Sequence, residues 1–361
     1  GIEVRASILY LSIENWRRDI EMKVITLGEI LLRLSTAADV RLKSTKEFRV
    51  CYGGAEANVG ISLAHFGHNV SVATVLPQDN PLNDAVSSRL RMNGINTDLV
   101  ATEYGRLGTY FLEQGNAVRS SRVTYDRLYS SISVLKELCW NLDEIFKGVD
   151  LLHISGILPA LSKKWQSWTV EVVRKAKEYG CRVSFDMNYR SKLWTKEAAR
   201  EAMTELSEYI NLILINEEDA KTVFGIQADK TDVHSGKLNK EGYEEVAKKL
   251  MEQFRFSEVA ITLRESKSAS DNDWSGLLYD GKECLFSKVY PVHIVDRIGG
   301  GDSFAAGLIY SFLKGDDSRK ALEFAVAASA LKHSIEGDYN MVTVPEVEKL
   351  AGGDSSGRVQ R

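Results

Sequence analysis

The chain has 361 residues, 44% hydrophobic and 27% charged, enough for one large α/β domain, or a domain with a small appendage, around a sizeable core. A formal net charge of −4, a pI near 6.0 and scattered basic residues exclude a dedicated nucleic-acid binder and favour small-molecule chemistry. No apolar run reaches the roughly 18 residues of a membrane span, and there is no secretory signal pattern, so a soluble, cytoplasmic protein is expected.

Residues 1–21 read as an N-terminal extension of undecided origin, because Met22 opens a clean strand, MKVITLGEI, that looks like the start of a domain. From there to about residue 350, strand-like runs alternate with helix-length amphipathic stretches, as in a doubly wound, mostly parallel central sheet with helices on both faces. The expected core strands are 24–27, 70–75, 151–154, 182–186, 212–215 and 259–263; helices are expected over 57–65, 163–179, 196–208 and 243–253. Two stretches break the alternation, 31–52 and 108–125, and read as short strands joined by Gly, Asn and Ser turns. They predict a small β-sheet placed to act as a lid. Residues 225–242 read as a polar surface loop and 351–361 as a flexible tail. Cys51, Cys139, Cys181 and Cys284 form no CxxC pair and are expected as reduced core thiols. His65 and His68 share a helical face, but no further ligand completes a metal site, so they read as the end of a helix near Gly67.

The stretch DRIGGGDSFAAGLIYSFLKG, residues 296–315, carries the chemistry. An extended segment precedes Gly299, Gly300 and Gly301, and an apolar helical pattern follows, so the glycines form a strand-to-helix turn whose amides and helix dipole suit an anion. Asp302 would repel a merely bound anion. It makes sense as a general base that takes a hydroxyl proton while the glycine amides stabilise a transferring phosphoryl group. On these residues alone, a second reading stays open in which Asp302 only caps the helix. Neither GxxxxGK[ST] nor a GxGxxG after the first strand is present.

DRIGGGDSFAAG resembles the C-terminal signature of the ribokinase (PfkB) family of carbohydrate kinases, and YGGAEANVGISLAHFG, residues 52–67, resembles its N-terminal signature. With INEEDA and VAITLRES the resemblance spans about 22–345, and it implies the ribokinase-like fold. Within the family, FDMNYRSKLW, VTYDR and EGDYNMVT resemble kinases of 2-keto-3-deoxygluconate. The resemblance implies ATP as donor, Mg²⁺ as bridging ion, phosphorylation of the terminal hydroxyl of an acid sugar, and admits a monovalent cation. Carried over by position, Asp302 is the base and Gly299, Gly300 and Gly301 the anion hole. Gly53, Gly54 and Asn58 meet the sugar, the glycines letting hydroxyls approach the backbone. Tyr110, Tyr125, Arg127 and Arg190 are subgroup substrate contacts, the arginines suited to a sugar carboxylate, and Asp338 accepts a sugar hydroxyl. Asn216, Thr262 and Arg264 fall on the nucleotide side, and Asp219 in the Mg²⁺ shell.

Several positions depart from the family pattern. Arg297 stands for the usual Thr, Gly300 for Ala, and Asp219 for the commoner Glu. Arg33 occupies a place where neutral-sugar members often carry Asp; it reads either as a partner for an acidic substrate or as a residue on the outward face of a lid strand. The polar run ESKSASDNDW after Arg264 reads as a flap over the nucleotide. A neutral-sugar kinase and a non-catalytic sugar or nucleotide binder stay open as alternatives. Exposed lid edges imply a homo-oligomer through the lid sheet.

Overall fold

The computed structural model describes residues 21–226 and 240–354. Most of the expected 225–242 loop lies outside the described residues, as do nearly all of the N-terminal extension and the tail beyond Asp354. Among the described residues, fourteen strands run in chain order: β1 Lys23–Leu27, β2 Leu31–Ser35, β3 Arg49–Gly53, β4 Asn69–Pro77, β5 Val100–Glu103, β6 Thr109–Glu113, β7 Arg122–Asp126, β8 Leu151–Ser155, β9 Arg182–Asp186, β10 Leu212–Ile215, β11 Glu258–Ser266, β12 Asp271–Tyr279, β13 Cys284–Phe286 and β14 Tyr290–His293. Every core strand and helix expected from periodicity is present.

The large sheet has the order β13-β12-β11-β10-β9-β8-β1-β4-β5, with β14 also pairing β12. Pairs from β5 through β11 are parallel, and β12 with its neighbours is antiparallel. The central strands are apolar throughout because both faces are covered: LILI of β10 and LLHIS of β8 are buried at every residue. On one face pack the helices Lys163–Glu178, Lys196–Leu206 and Lys240–Gln253, around Trp165, Phe185, Met203 and Leu250. On the other lie Ala55–His65, Gly300–Lys314 and Ser318–Lys332, around Ile61, Phe304, Leu308 and Phe324. The lid is a separate four-stranded sheet, β3-β2-β6-β7, with its own small core of Leu31, Tyr110 and Leu112.

The four cysteines are free, but only Cys181 is a core thiol; Cys139 is exposed and Cys51 and Cys284 are half-buried. His65 and His68 end their helix as expected: the His65 ring lies 3.2 Å from the carbonyl of Asn340, and His68 packs on Tyr310. Among the described residues, no helix is long and apolar enough to cross a membrane.

The Gly300–Lys314 and Ser318–Lys332 helices touch where Gly307 meets Ala325; a Cβ on Gly307 would stand 2.6 Å from the Ala325 Cα. Replacing Gly307 with Val must push apart two buried helices, one of which begins at the glycine turn. We expect Gly307→Val to cost about 1–3 kcal/mol of stability, read as a lower urea midpoint. An unchanged midpoint would show that this contact is not tight.

Candidate active site

The sheet order reverses at β1, with β4 and β5 on one side and β8 to β11 on the other. Loops leaving the carboxyl ends of the strands diverge at such a point and open a crevice. A cavity of about 320 Å³ lies there, walled by Glu29 after β1, Asp186 and Arg190 at β9, Asn216 after β10 and Thr262 on β11. The lid roofs it with Leu31, Tyr110, Val123 and Tyr125.

Two helices, Ala55–His65 and Gly300–Lys314, aim their N-termini into this cavity, since Gly54, Ala55 and Gly299 to Gly301 line it. Both begin at a glycine with no side-chain cap. By contrast, Asn80, Asn141, Ser162, Thr195 and Asp317 each cap the helix that follows them. The bare amides are therefore left for an anion, with two helix dipoles behind them.

Gly299 is the N-cap, in the left-handed conformation at φ 83° that favours glycine. Asp302 consequently sits inside the first turn, and the capping reading of its side chain is removed. Its Oδ2 accepts a 2.7 Å hydrogen bond from Asn58 Nδ2. Burial pushes its pKa up to about 6, with the Asn58 hydrogen bond opposing the rise, Asp338 adding to it, and Arg190 and Lys332 opposing it. At neutral pH it is an ionised carboxylate with more affinity for a proton than a surface aspartate, as a general base requires.

The other glycines have packing reasons. A Cβ on Gly53 would run into the Asp338 carboxylate, and one on Gly54 into the Glu29 carbonyl. Close approach there is to the protein's own groups, and both glycines also line the cavity. Gly300 is required by the His333 ring, 2.7 Å from the position of a Cβ, whereas Gly301 faces open space.

Tyr110 and Tyr125 stand opposite each other on β6 and β7, ring centroids 5.8 Å apart. Arg127 also lines the cavity, but it is paired with Glu29, both buried, so its charge is already compensated. Arg127 was expected as a substrate contact suited to a sugar carboxylate; in this structure the carboxylate it meets is that of Glu29. Arg127 Nε and Glu29 Oε1 have no partner, and neither does Asn58 Oδ1; together they offer one donor and two acceptors, a set suited to hydroxyls. Arg190 donates to the Tyr189 carbonyl at 2.9 Å and makes no ion pair among the described residues, while Asp186, Asp219 and Asp302 stand near enough to feel its charge.

Arg33 follows neither expectation. It is buried, and its two Nη atoms lie 2.5 Å from Asp338 and from Asp296, which joins the lid to the segment leading into the glycine turn. Burial alone disfavours its charge, yet Asp338 and Asp296 hold its pKa above the ordinary arginine range. Asp338 also accepts from the Tyr110 hydroxyl at 3.1 Å. It lines the cavity, but its oxygens are engaged before any sugar arrives.

On the opposite side, Asn216 and Thr262 line the cavity, whereas Asp219 and Arg264 do not. Asp219 stands behind Asn216, accepting from its Nδ2 at 2.9 Å, and burial pushes its pKa up to about 6. Arg264 is exposed on β11; the basic residue lining the cavity from this side is Arg297, bonded to the Ala269 carbonyl at 2.9 Å. Residues 265–274 are no free flap. They are the tip of the β11–β12 hairpin, and Ala269 and Ser270 exchange hydrogen bonds of 2.8 and 2.9 Å with Ala117 of the lid segment.

Three cavity carboxylates escaped the sequence reading: Glu29, Glu56 and Asp186. Glu56 accepts from Ser155 Oγ at 2.5 Å, and burial pushes its pKa up to about 7. Asp186 rises to about 8 through burial, with Asp302 and Asp219 adding to the shift. Glu56 and Asp186 sit inside YGGAEAN and FDMNYR, so position within those motifs was the signal available. No group of three His, Cys, Asp or Glu among the described residues is arranged to hold a metal.

Comparison with known proteins agrees with this geometry. The pfkB family carbohydrate kinase model matches residues 22–344. A 2-dehydro-3-deoxygluconokinase of Thermotoga maritima is 45% identical, with a TM-score of 0.88 over 92% of this chain and 100% of that one. A 2-dehydro-3-deoxygalactonokinase of Haloferax volcanii is 30% identical over 92% of this chain and 98% of its own. A fructokinase of Xylella fastidiosa with bound ATP, 18% identical with a TM-score of 0.71 over 92% of this chain and 99% of its own, shares the fold alone. The glycine turn, the lid and the crevice at the sheet's switch point are thus those of a chain that belongs to the pfkB family of carbohydrate kinases.

Proposed function

We propose that this protein transfers the terminal phosphoryl group of ATP to the C6 hydroxyl of 2-keto-3-deoxygluconate, giving 2-keto-3-deoxy-6-phosphogluconate and ADP. The observation that carries the reading is Asp302: a carboxylate with raised proton affinity, held by Asn58 at the mouth of an uncapped helix N-terminus. The substrate class is supported by the names of the Thermotoga and Haloferax relatives and by Arg190, a cation in the cavity without an ion-pair partner among the described residues. A neutral-sugar substrate is disfavoured by that cation, whose charge Asp186, Asp219 and Asp302 feel without forming an ion pair with it among the described residues, and a non-catalytic binder by the intact Gly299–Asp302 turn.

In this reading Asp302 accepts the hydroxyl proton, and Asn58 orients it by donating to its second oxygen. The amides at the start of the Gly300–Lys314 helix hold the transferring group's charge. Asn58 Oδ1, Glu29 Oε1 and Arg127 Nε receive sugar hydroxyls, and Arg190 binds the carboxylate. Asn216 and Thr262 face the nucleotide. ATP with Mg²⁺ supplies the phosphoryl group and neutralises charge on its oxygens. The residues fit such an ion: Mg²⁺ keeps waters and phosphate oxygens in its shell and needs few protein ligands, here Asp186, with Asp219 acting through Asn216. The lid excludes water, which would otherwise accept the phosphoryl group. We place the protein in the cytoplasm and in a homo-oligomer joined through the lid, whose edge strand β3 carries Val50 at 57% exposure.

Kinetics and mass measurements check this. Asp302→Asn is expected to lower kcat about 10²- to 10⁴-fold with the fold intact, and wild-type kcat/KM to fall as pH drops through about 6, where the raised carboxylate takes its proton. Retention of more than about a tenth of kcat, or full activity down to pH near 4, would remove the base assignment. In ADP-release assays across 2-keto-3-deoxygluconate, its C4 epimer, gluconate and fructose, the keto-deoxy acids are expected to lead. Arg190→Gln should raise their KM roughly 10- to 150-fold, the loss of a charge-assisted pair; a preference for fructose would overturn the substrate class. Light scattering at micromolar concentration should give a mass above the 40.3 kDa of one chain, and a monomer would exclude the lid-to-lid assembly.

A further inference from the structure

Lysine is almost never fully buried unless its charge is paired. Lys332, the last residue of the Ser318–Lys332 helix, has no exposed surface at all. Its Nζ donates a 3.0 Å hydrogen bond to the carbonyl of Ile335, and it makes no ion pair within 4 Å among the described residues. Three carboxylates surround it at longer range, Asp296, Asp338 and Asp302, with Arg33 as the nearby like charge. The stem of the side chain rises under the glycine turn: a Cβ on Gly299 would lie 3.2 Å from Lys332 Cε.

The chain between 332 and 338 wraps around this spot. The Asp338 carbonyl presses on Gly299, the Ile335 carbonyl takes the ammonium, and the Gly337 amide donates to Asp296 Oδ2 at 3.0 Å. Beneath the glycine turn the ammonium thus has one bonded carbonyl and three carboxylates at longer range, surroundings that suit a monovalent cation, and an ammonium of that charge already stands there. Placing a buried charge without a direct counter-ion costs several kcal/mol. Its stem lies against Gly299, the N-cap of the uncapped helix, and its charge is felt by Asp302, so it adds positive potential at the glycine turn.

We propose that Lys332 is a built-in cation of the anion hole: its ammonium, fixed under Gly299, takes the place of an added monovalent ion, so that turnover and stability of this protein do not depend on K⁺. Lys332 touches no reacting atom and is a positioning residue, and its catalytic part rests on the kinase reading above.

The experiment compares K⁺, NH₄⁺, Na⁺ and choline chlorides at constant ionic strength, with two readouts, melting temperature and the kcat for ADP release. The wild-type protein is expected to keep both in every salt, within about 1 °C and about twofold. Lys332→Ala, which vacates the spot, should lose on the order of 10-fold or more in kcat with KM for the sugar little changed. It should recover part of the loss, and gain about 2–4 °C, in K⁺ or NH₄⁺ but not in choline. Lys332→Met, which fills the spot without charge, should show the loss and no cation response. A wild-type melting temperature or kcat that rises with K⁺ overturns the proposal, as does a Lys332→Met enzyme of wild-type kcat. The wild-type melting arm needs no variant to fold and no turnover. Absence of ADP release with every sugar would therefore sink the kinase reading alone, while a K⁺-stabilised wild-type protein would sink the lysine alone.

Discussion

Arg33 sits where the lid and the core meet, and its two ion pairs hold the site together. Its guanidinium reaches Asp338 with one nitrogen and Asp296 with the other, all three side chains out of water. A buried charge cluster of this kind tolerates no missing member, because removal of one leaves the others uncompensated in a low dielectric. Asp296 hands its second oxygen to the amide of Ile298, which packs on the lid core just before the glycine turn. Asp338 in turn fixes Tyr110 on the roof and forbids a side chain at Gly53. One arginine on a lid strand thereby sets the height of the roof and the position of the anion-binding turn together.

Around that clamp the charges fall into layers. Two helix N-termini and Arg190 bring positive potential into the cavity, while Glu29, Glu56, Asp186 and Asp302 line it with carboxylates. Burial raises the proton affinity of Glu56, Asp186 and Asp302, and by different amounts: Asn58 keeps Asp302 at about 6, while Asp186, facing two other carboxylates, rises to about 8.

The fold was legible because its signals are local. A continuous apolar run in β10, the amphipathic spacing of Lys163–Glu178 and the three glycines ahead of an apolar helix each report on residues within one turn or strand. Asp302, Asn58, Tyr110, Tyr125, Arg190, Asn216 and Thr262, expected from motifs whose spacing is fixed by that local structure, all line the cavity. Arg264 and Asp219 do not line the cavity for a related reason: strand alternation and the 216–219 turn decide which side chain reaches it.

By itself the sequence determined the alternating α/β order, the existence of a second small sheet, the glycine turn and its aspartate, since propensity and periodicity act over a few residues. Tertiary structure alone decided which charges remain free. Arg127 is spent on Glu29, 98 residues away, and Arg33 on Asp296 and Asp338, 263 and 305 residues away. Lys332 is drawn under Gly299 by a chain reversal at 333–338. A side chain's charge is compensated by whatever the fold brings within a few ångströms, and Coulomb's law takes no account of separation along the chain.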